Sequence, residues 1–164
     1  MIELGIDMPP ELRFMAATWP RETLAEIRSV LDLIGARLES EVASRTPAGA
    51  TAALRGSIAG SVSATASEGL VLRVGTPLEY GAPVEFGRAP GRMPPVAPLV
   101  LWADRKLGLS RDEAESVGFS IALKIARQGT KGARMFRDAF EANEEWARAR
   151  LAEIPAGVLR RIGV

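Results

Sequence analysis

The sequence predicts an α+β fold: a long N-terminal helix, a small antiparallel sheet of about three to four strands, and C-terminal helices packed on one face of that sheet. Three observations carry this expectation. Apolar residues recur at three- and four-residue steps from Leu24 to Val42; two strand-like runs flank Glu68 and Gly69; helical periodicity returns after the proline-rich stretch and holds as far as Ile154.

At the N-terminus, "IELGID" alternates apolar and polar residues and predicts a short strand, and Asp7 ahead of "MPPEL" caps a short helix near Pro9 to Ala17. Thr18, Trp19 and Pro20 then lead into an amphipathic helix whose core face is Leu24, Ile27, Leu31, Ile34, Leu38 and Val42, ending before Pro47. Its other face carries Glu22, Glu26, Arg28, Asp32, Arg37, Glu39 and Glu41, as a solvated face does. After a glycine-rich loop, Ser57 to Ser67 and Leu70 to Val74 form a hairpin that turns at Glu68 and Gly69. Tyr80 to Phe86 is expected to be a third strand, held at an edge or a bulge by Pro83.

A helix beginning near Ala97 closes at Gly108, and Ser110 with Glu113 makes a capping box for another, with Ala114, Val117, Ile121 and Ile125 on one face and an end at Gly129. The last long helix runs from about Ala133 to Ile154 with Phe136, Phe140, Trp146 and Leu151 on its apolar face, until Pro155 stops it. Residues 1–164 are read as one α+β domain, with an N-terminal arm over 1–18 and a C-terminal tail over 155–164. The tail's "LRRIGV" is either a docking segment or a frayed end.

Composition narrows the function. The 164 residues include no Cys and no His, which removes thiolate and imidazole metal sites, Ser-His and Cys-His nucleophilic pairs, and disulfides. The expectation is a protein that is not an enzyme and needs no cofactor or metal. With 21 basic against 20 acidic residues there is no general attraction for nucleic acid over the whole surface. No run of apolar residues is long enough to span a bilayer and the N-terminus lacks a basic leader, so synthesis and folding in a cytoplasm are expected.

The segment "GTPLEYGAPVEFGRAPGRMPP", Gly75 to Pro95, is the most unusual stretch. Its glycines permit positive φ or close backbone approach and its prolines restrict φ, so it reads as a shaped, low-entropy loop. It lacks the Lys and helix start of a phosphate-binding loop. Arg88 and Arg92 stand at its shoulders, either solvated or facing a partner. Glu85 reads as a salt-bridge or capping partner rather than a catalytic base, because no second titrating group sits near it in sequence. Trp19, Trp102 and Trp146 fall on helical faces, where a large aromatic is ordinarily core, with one of the three open to a partner.

Taken in order, "SRTPAGATAALRGSI", "VGTPLEYGAPVEFGRAPGRMPP" and "KIARQGTKGARMFRDAFE" resemble a family of small tailed-phage neck or tail-completion proteins that counts the lambda tail-completion protein Z among its relatives. The family's Thr-Pro and Leu-Arg-x-Ser-Ile correspond to Thr46, Pro47, Leu54, Arg55, Ser57 and Ile58. Its Val-Gly strand end, Tyr, Val-Glu-Phe-Gly block and later Gly with Met-Phe correspond to Val74, Gly75, Tyr80, Val84, Glu85, Phe86, Gly87, Gly132, Met135 and Phe136. The resemblance covers Ala43 to Ala142; it departs where the family's Asp-Thr-Gly is replaced by "AGATAA" and where the segment from Ala97 to Leu123 lengthens the spacing.

The resemblance implies a structural virion protein at the head-tail junction, working as a homo-oligomeric ring, hexameric or dodecameric, made in the bacterial host cytoplasm and carrying no catalytic residues. Its partners would be itself, head-completion proteins and tail-terminator or tail-tube proteins, with DNA passing through the ring and no membrane. The surface expected to meet these partners is Arg55, Tyr80, Glu85, Phe86, Arg88, Arg92 and Met93. An alternative is a DNA-contacting connector or packaging adaptor using Arg88, Arg92, Lys131 and Arg134 as phosphate contacts. A third reading, a carboxylate-dependent hydrolase, would place catalysis on Glu85.

Overall fold

The computed structural model describes residues 4–5, 20–65 and 69–162. The predicted helix near Pro9 to Ala17, Trp19 and the turn residue Glu68 lie outside them. Helix α1, Pro20–Arg45, is the spine. Ile27, Leu31, Ile34, Leu38 and Val42 are buried along it, as the periodicity predicts. Leu24 is not: it is 42% exposed, and Thr23 is buried instead. At this end the helix is covered from the flank of Glu26, against which the C-terminal helix packs at Gly157, whereas the sheet covers the opposite flank only farther along, at Gly35 and Glu39.

The main sheet consists of β1 (Leu4–Gly5), β2 (Ala59–Thr65) and β3 (Gly69–Gly75), antiparallel in the order β1-β3-β2. Leu70, Leu72 and Val74 alternate along β3 and point into the core. Helix α1 comes close to this face because Gly35 and Gly60 have no side chains; a Cβ at Gly35 would stand 2.9 Å from Leu72 Cδ1. Between α1 and the sheet, the short helix α2 (Ala53–Gly56) contributes Leu54 to the core.

The predicted third strand is a helix. Gly81–Phe86 forms α3, with the N–H of Val84 donating to the Tyr80 carbonyl at 3.2 Å. A strand would send Val84 and Glu85 to opposite faces, whereas the helix turns both inward, and Pro83 sits where the first turn needs no backbone donor. Directly after it, β4 (Gly87–Arg88) pairs with β5 (Thr130–Lys131) in a separate two-stranded ribbon, Gly87 opposite Lys131 and Arg88 opposite Thr130.

Between the two ribbon strands the chain builds a helical hairpin. Helix α4 (Ala97–Leu107) ends at Gly108, φ 65°, and α5 (Arg111–Gln128) begins at the predicted Ser110–Glu113 capping box. The two pack through small residues: Ala103, Ala114 and Ala122 are fully buried, and Gly118 lies against Val100. The main hydrophobic core contains no described residue from 88 to 134, so this hairpin stands apart from it and is joined through the ribbon.

Helix α6 (Met135–Ala152) returns to the core through Met135, Phe136, Ala139, Ala147 and Leu151 and crosses α1. There Arg37 Nε donates to Asn143 Oδ1 at 2.6 Å, and its guanidinium lies 4.3 Å from the centre of the half-buried Trp146 ring. The segment expected to be a tail is instead helix α7, Ile154–Ile162. Pro155 opens this helix because its missing N–H is one that a first turn leaves unbonded. Ile154 and Val158 are fully buried, and Arg161 Nε donates to Glu26 Oε2 at 2.5 Å.

Candidate interaction site

Most of the residues that carry the family resemblance are occupied in holding the fold together. Thr46 is buried at the end of α1, its hydroxyl donating to the Val42 carbonyl at 2.7 Å and lying 3.2 Å from Met135 Sδ. Arg55, expected on a partner surface, directs its guanidinium to the Thr46 carbonyl at 2.8 Å and so caps the end of α1. Ser57 meets Thr76, hydroxyl to hydroxyl, at 2.7 Å, tying α2 to the end of β3. Leu54 and Ile58 belong to the core.

Arg55 stays exposed, but Glu85 leaves the predicted surface set. It is 3% exposed, and its carboxylate oxygens accept from the backbone N–H groups of Phe136 at 2.9 Å and Arg137 at 3.1 Å. These are first-turn donors of α6 with no partner inside that helix, and its N-cap position is occupied by Arg134, which has no capping side chain. The carboxylate therefore caps α6 from a distant part of the chain and meets the positive end of its dipole. The capping role expected of Glu85 holds; a place at a partner surface does not, because the group is enclosed.

Glycine makes the adjoining ribbon possible. A Cβ at Gly132 would fall on the Glu85 carbonyl oxygen, one at Gly87 on the Thr130 carbonyl oxygen, and one at Gly129 on that of Arg88. Two stretches of backbone thus run in contact, with Ala133 N–H donating to the Val84 carbonyl at 2.7 Å and Arg134 N–H to that of Glu85 at 3.1 Å. The "VEFG" and "QGTKG" signatures are the two halves of one lock.

What the lock presents outward is aromatic. Phe86, between enclosed Glu85 and the ribbon glycine, is 74% exposed, and Tyr80, at the other end of α3, is 48% exposed. At 100° per residue, Tyr80, Pro83 and Phe86 lie on one arc of α3 while Gly81, Val84 and Glu85 lie on the other, and the burial of these residues follows that division. Pro83 was missed as a surface residue because it was read as a strand breaker. In the following loop Arg88 donates to the Arg92 carbonyl at 2.6 Å, and Gly91 N–H donates to the Ala126 carbonyl at 2.8 Å, clasping the loop onto the end of α5. Arg92 and Met93 remain exposed on it.

The hairpin adds further apolar surface, of which the sequence pointed only to the Val117, Ile121 and Ile125 face. Leu101, Leu107 and Phe119 are exposed, and Val117, Ile121, Leu123 and Ile125 are only half-buried. Helix α5 thus carries apolar residues beyond the flank that α4 covers.

Among the described residues, no cluster of three or more acidic side chains converges in the manner of a metal site. None of the described helices is long and apolar enough to cross a membrane. Compared with known proteins, the chain matches no family model, no curated protein and no solved structure.

Proposed function

We propose that this protein is a structural assembly subunit, a component of a neck or tail-completion ring at the head-tail junction of a tailed phage particle. The observation that carries the reading is the outward arc of α3, where Tyr80, Pro83 and Phe86 are displayed on a backbone fixed by the Glu85 cap and the glycine ribbon. Burying a side chain of this kind contributes about 1.5–3 kcal/mol. The backbone beneath it is already ordered, so docking loses little of that to entropy.

A ring needs a second, different surface on each subunit, because its contacts run head to tail. The partly covered helix α5 and the exposed Leu107 and Phe119 supply it. The family resemblance on Thr46 to Ile58, Val74 to Gly87 and Gly132 to Phe136 supplies the place in the particle and the neighbours, which are head-completion and tail-tube or tail-terminator proteins.

The experiment is light scattering on size-exclusion fractions of wild type and Phe86→Ala, followed by complementation of tail-deficient particles. The expected result is a discrete assembly on the order of six or more subunits, or incorporation on the particle template, with both lost in the variant while its melting temperature holds. Normal assembly and tail joining by Phe86→Ala would refute the assignment of this surface.

A further inference from the structure

One flank of α5 is polar in a particular way. Ser116, Ser120, Lys124 and Arg127 recur at three- and four-residue steps with all four side chains exposed, so they form a stripe of hydroxyls and cations. At 1.5 Å rise per residue the stripe runs about 16 Å. The ribbon follows directly, with Lys131 opposite Gly87 and Arg88 opposite Thr130. Successive strand residues alternate, so these two cations leave opposite faces of the ribbon and only one of them shares the side of the stripe. The Gly91–Ala126 bond seats Arg92 beside the last turn of α5, and Arg134 follows at the start of α6.

No Asp or Glu occurs from Phe86 to Ala103 or from Ser116 to Arg137. Among the described residues Arg88, Arg92, Lys124, Arg127, Lys131 and Arg134 make no ion pair, whereas Arg111 at the start of α5 faces Glu115, and Arg28, Arg45, Arg137, Arg148, Arg150 and Arg161 on α1, α6 and α7 each face a carboxylate. Arg134 adds a second kind of observation. Its φ is 52°, a left-handed conformation that costs a non-glycine residue roughly 1–2 kcal/mol, yet an exposed arginine and not a glycine occupies it.

Hydroxyls and unpaired cations without intervening carboxylates are the groups that phosphate oxygens take as donors. We infer that this surface, the polar stripe of α5 continued by the ribbon and Arg134, binds the sugar–phosphate backbone of duplex DNA without regard to sequence. The near-neutral total charge does not oppose this, because salt screens charges over about 8–10 Å and only the local cluster acts on a bound strand. The choice of duplex DNA rests on the proposed place of the protein along the DNA path; the phosphate chemistry rests on the cluster alone.

The test is fluorescence anisotropy of the full chain with a labelled duplex of about 30 base pairs, between about 50 and 200 mM salt, with the solution mass of the same sample recorded. Contacts to four or five phosphates predict a plot of log affinity against log salt with a slope of about −4. In Lys124→Ala/Arg127→Ala the slope falls to about −2, and in Arg134→Gly it falls by about 1 with no loss in melting temperature, since glycine accepts the left-handed backbone. No binding at the lowest salt, or slopes unmoved by these variants, overturns the inference. Equal binding of a poly-glutamate chain overturns the phosphate assignment, and preference for duplex RNA overturns the choice of DNA. An assembled ring that ignores DNA ends this inference and leaves the assembly reading intact, whereas a monomer that binds DNA supports the inference and leaves the ring to the complementation experiment.

Discussion

Replacing Glu85 by Ala strips the backbone N–H groups of Phe136 and Arg137 of the oxygens that accept from them at 2.9 and 3.1 Å. Hydrogen bonds to a charged acceptor contribute about 1.5–3 kcal/mol each. Phe136 is fully buried, so its N–H gains no water in exchange, while exposed Arg137 recovers part of its loss. Together with the lost interaction with the helix dipole, the cost is about 3 kcal/mol. For a chain of this size each kcal/mol lowers the melting temperature by about 2–4 °C, so Glu85→Ala is expected to melt about 6–12 °C below wild type by far-UV circular dichroism. Glu85→Gln keeps one acceptor oxygen and turns the other position into a donor facing a donor, for about half that loss. The neighbouring Phe86→Ala, at an exposed position, is expected to stay within about 0.5 kcal/mol of wild type. A Glu85→Ala protein melting within about 2 °C of wild type would refute the capping argument.

Two further outcomes follow from local geometry. Gly132→Ala drives a methyl group into the Glu85 carbonyl, where backbone and not a flexible side chain must yield; the expected loss exceeds about 3 kcal/mol and is read as a collapse in folded yield. Gly91→Ala, whose Cβ meets nothing within 4 Å, is the comparison and loses only the strain of its backbone at φ 148°. In the second case, Glu113 titrates below the ordinary glutamate range, first because the Ser110 hydroxyl donates to it and next because the Ser110 backbone N–H does. A carboxylate depressed on folding contributes stability present above its unfolded pKa and lost as pH falls through the folded one. Ser110→Ala therefore raises the Glu113 midpoint in an NMR titration, and its stability deficit relative to wild type shrinks once both carboxyls are protonated in acid.

Much of the helical framework was legible in the sequence for local reasons. The periodicity of α1, the capping box at Ser110 and Glu113, and the glycines closing α4 and α5 act within a few residues of where they occur, so no partner segment is needed to read them. Tyr80 to Phe86 failed because a Pro between apolar residues fits both an edge strand and a first helical turn, and only the ribbon and α6 select between them. Pro155 failed for the same reason: whether a proline ends one helix or opens the next depends on what Ile154 and Val158 find to pack against. The candidate surface was legible in part. Phe86, Tyr80, Arg92 and Met93 lie outward as expected, and Arg55 is exposed while bonding the nearby Thr46 carbonyl, whereas Glu85 turned inward to backbone groups about fifty residues away.

By itself, then, the sequence determined the α+β class, the helical periodicities and caps, the β2–β3 pairing and the want of thiol and imidazole chemistry, all of which are local or compositional properties. The tertiary structure decided which polar groups are consumed internally and which are left to act outward. That division depends on backbone segments separated by about fifty residues coming into contact across Gly87, Gly129 and Gly132, a closeness that no local pattern encodes because it is a property of two chains of atoms at once. Once the contact forms, Glu85 is committed to the start of α6 and Phe86 is left facing outward beside it.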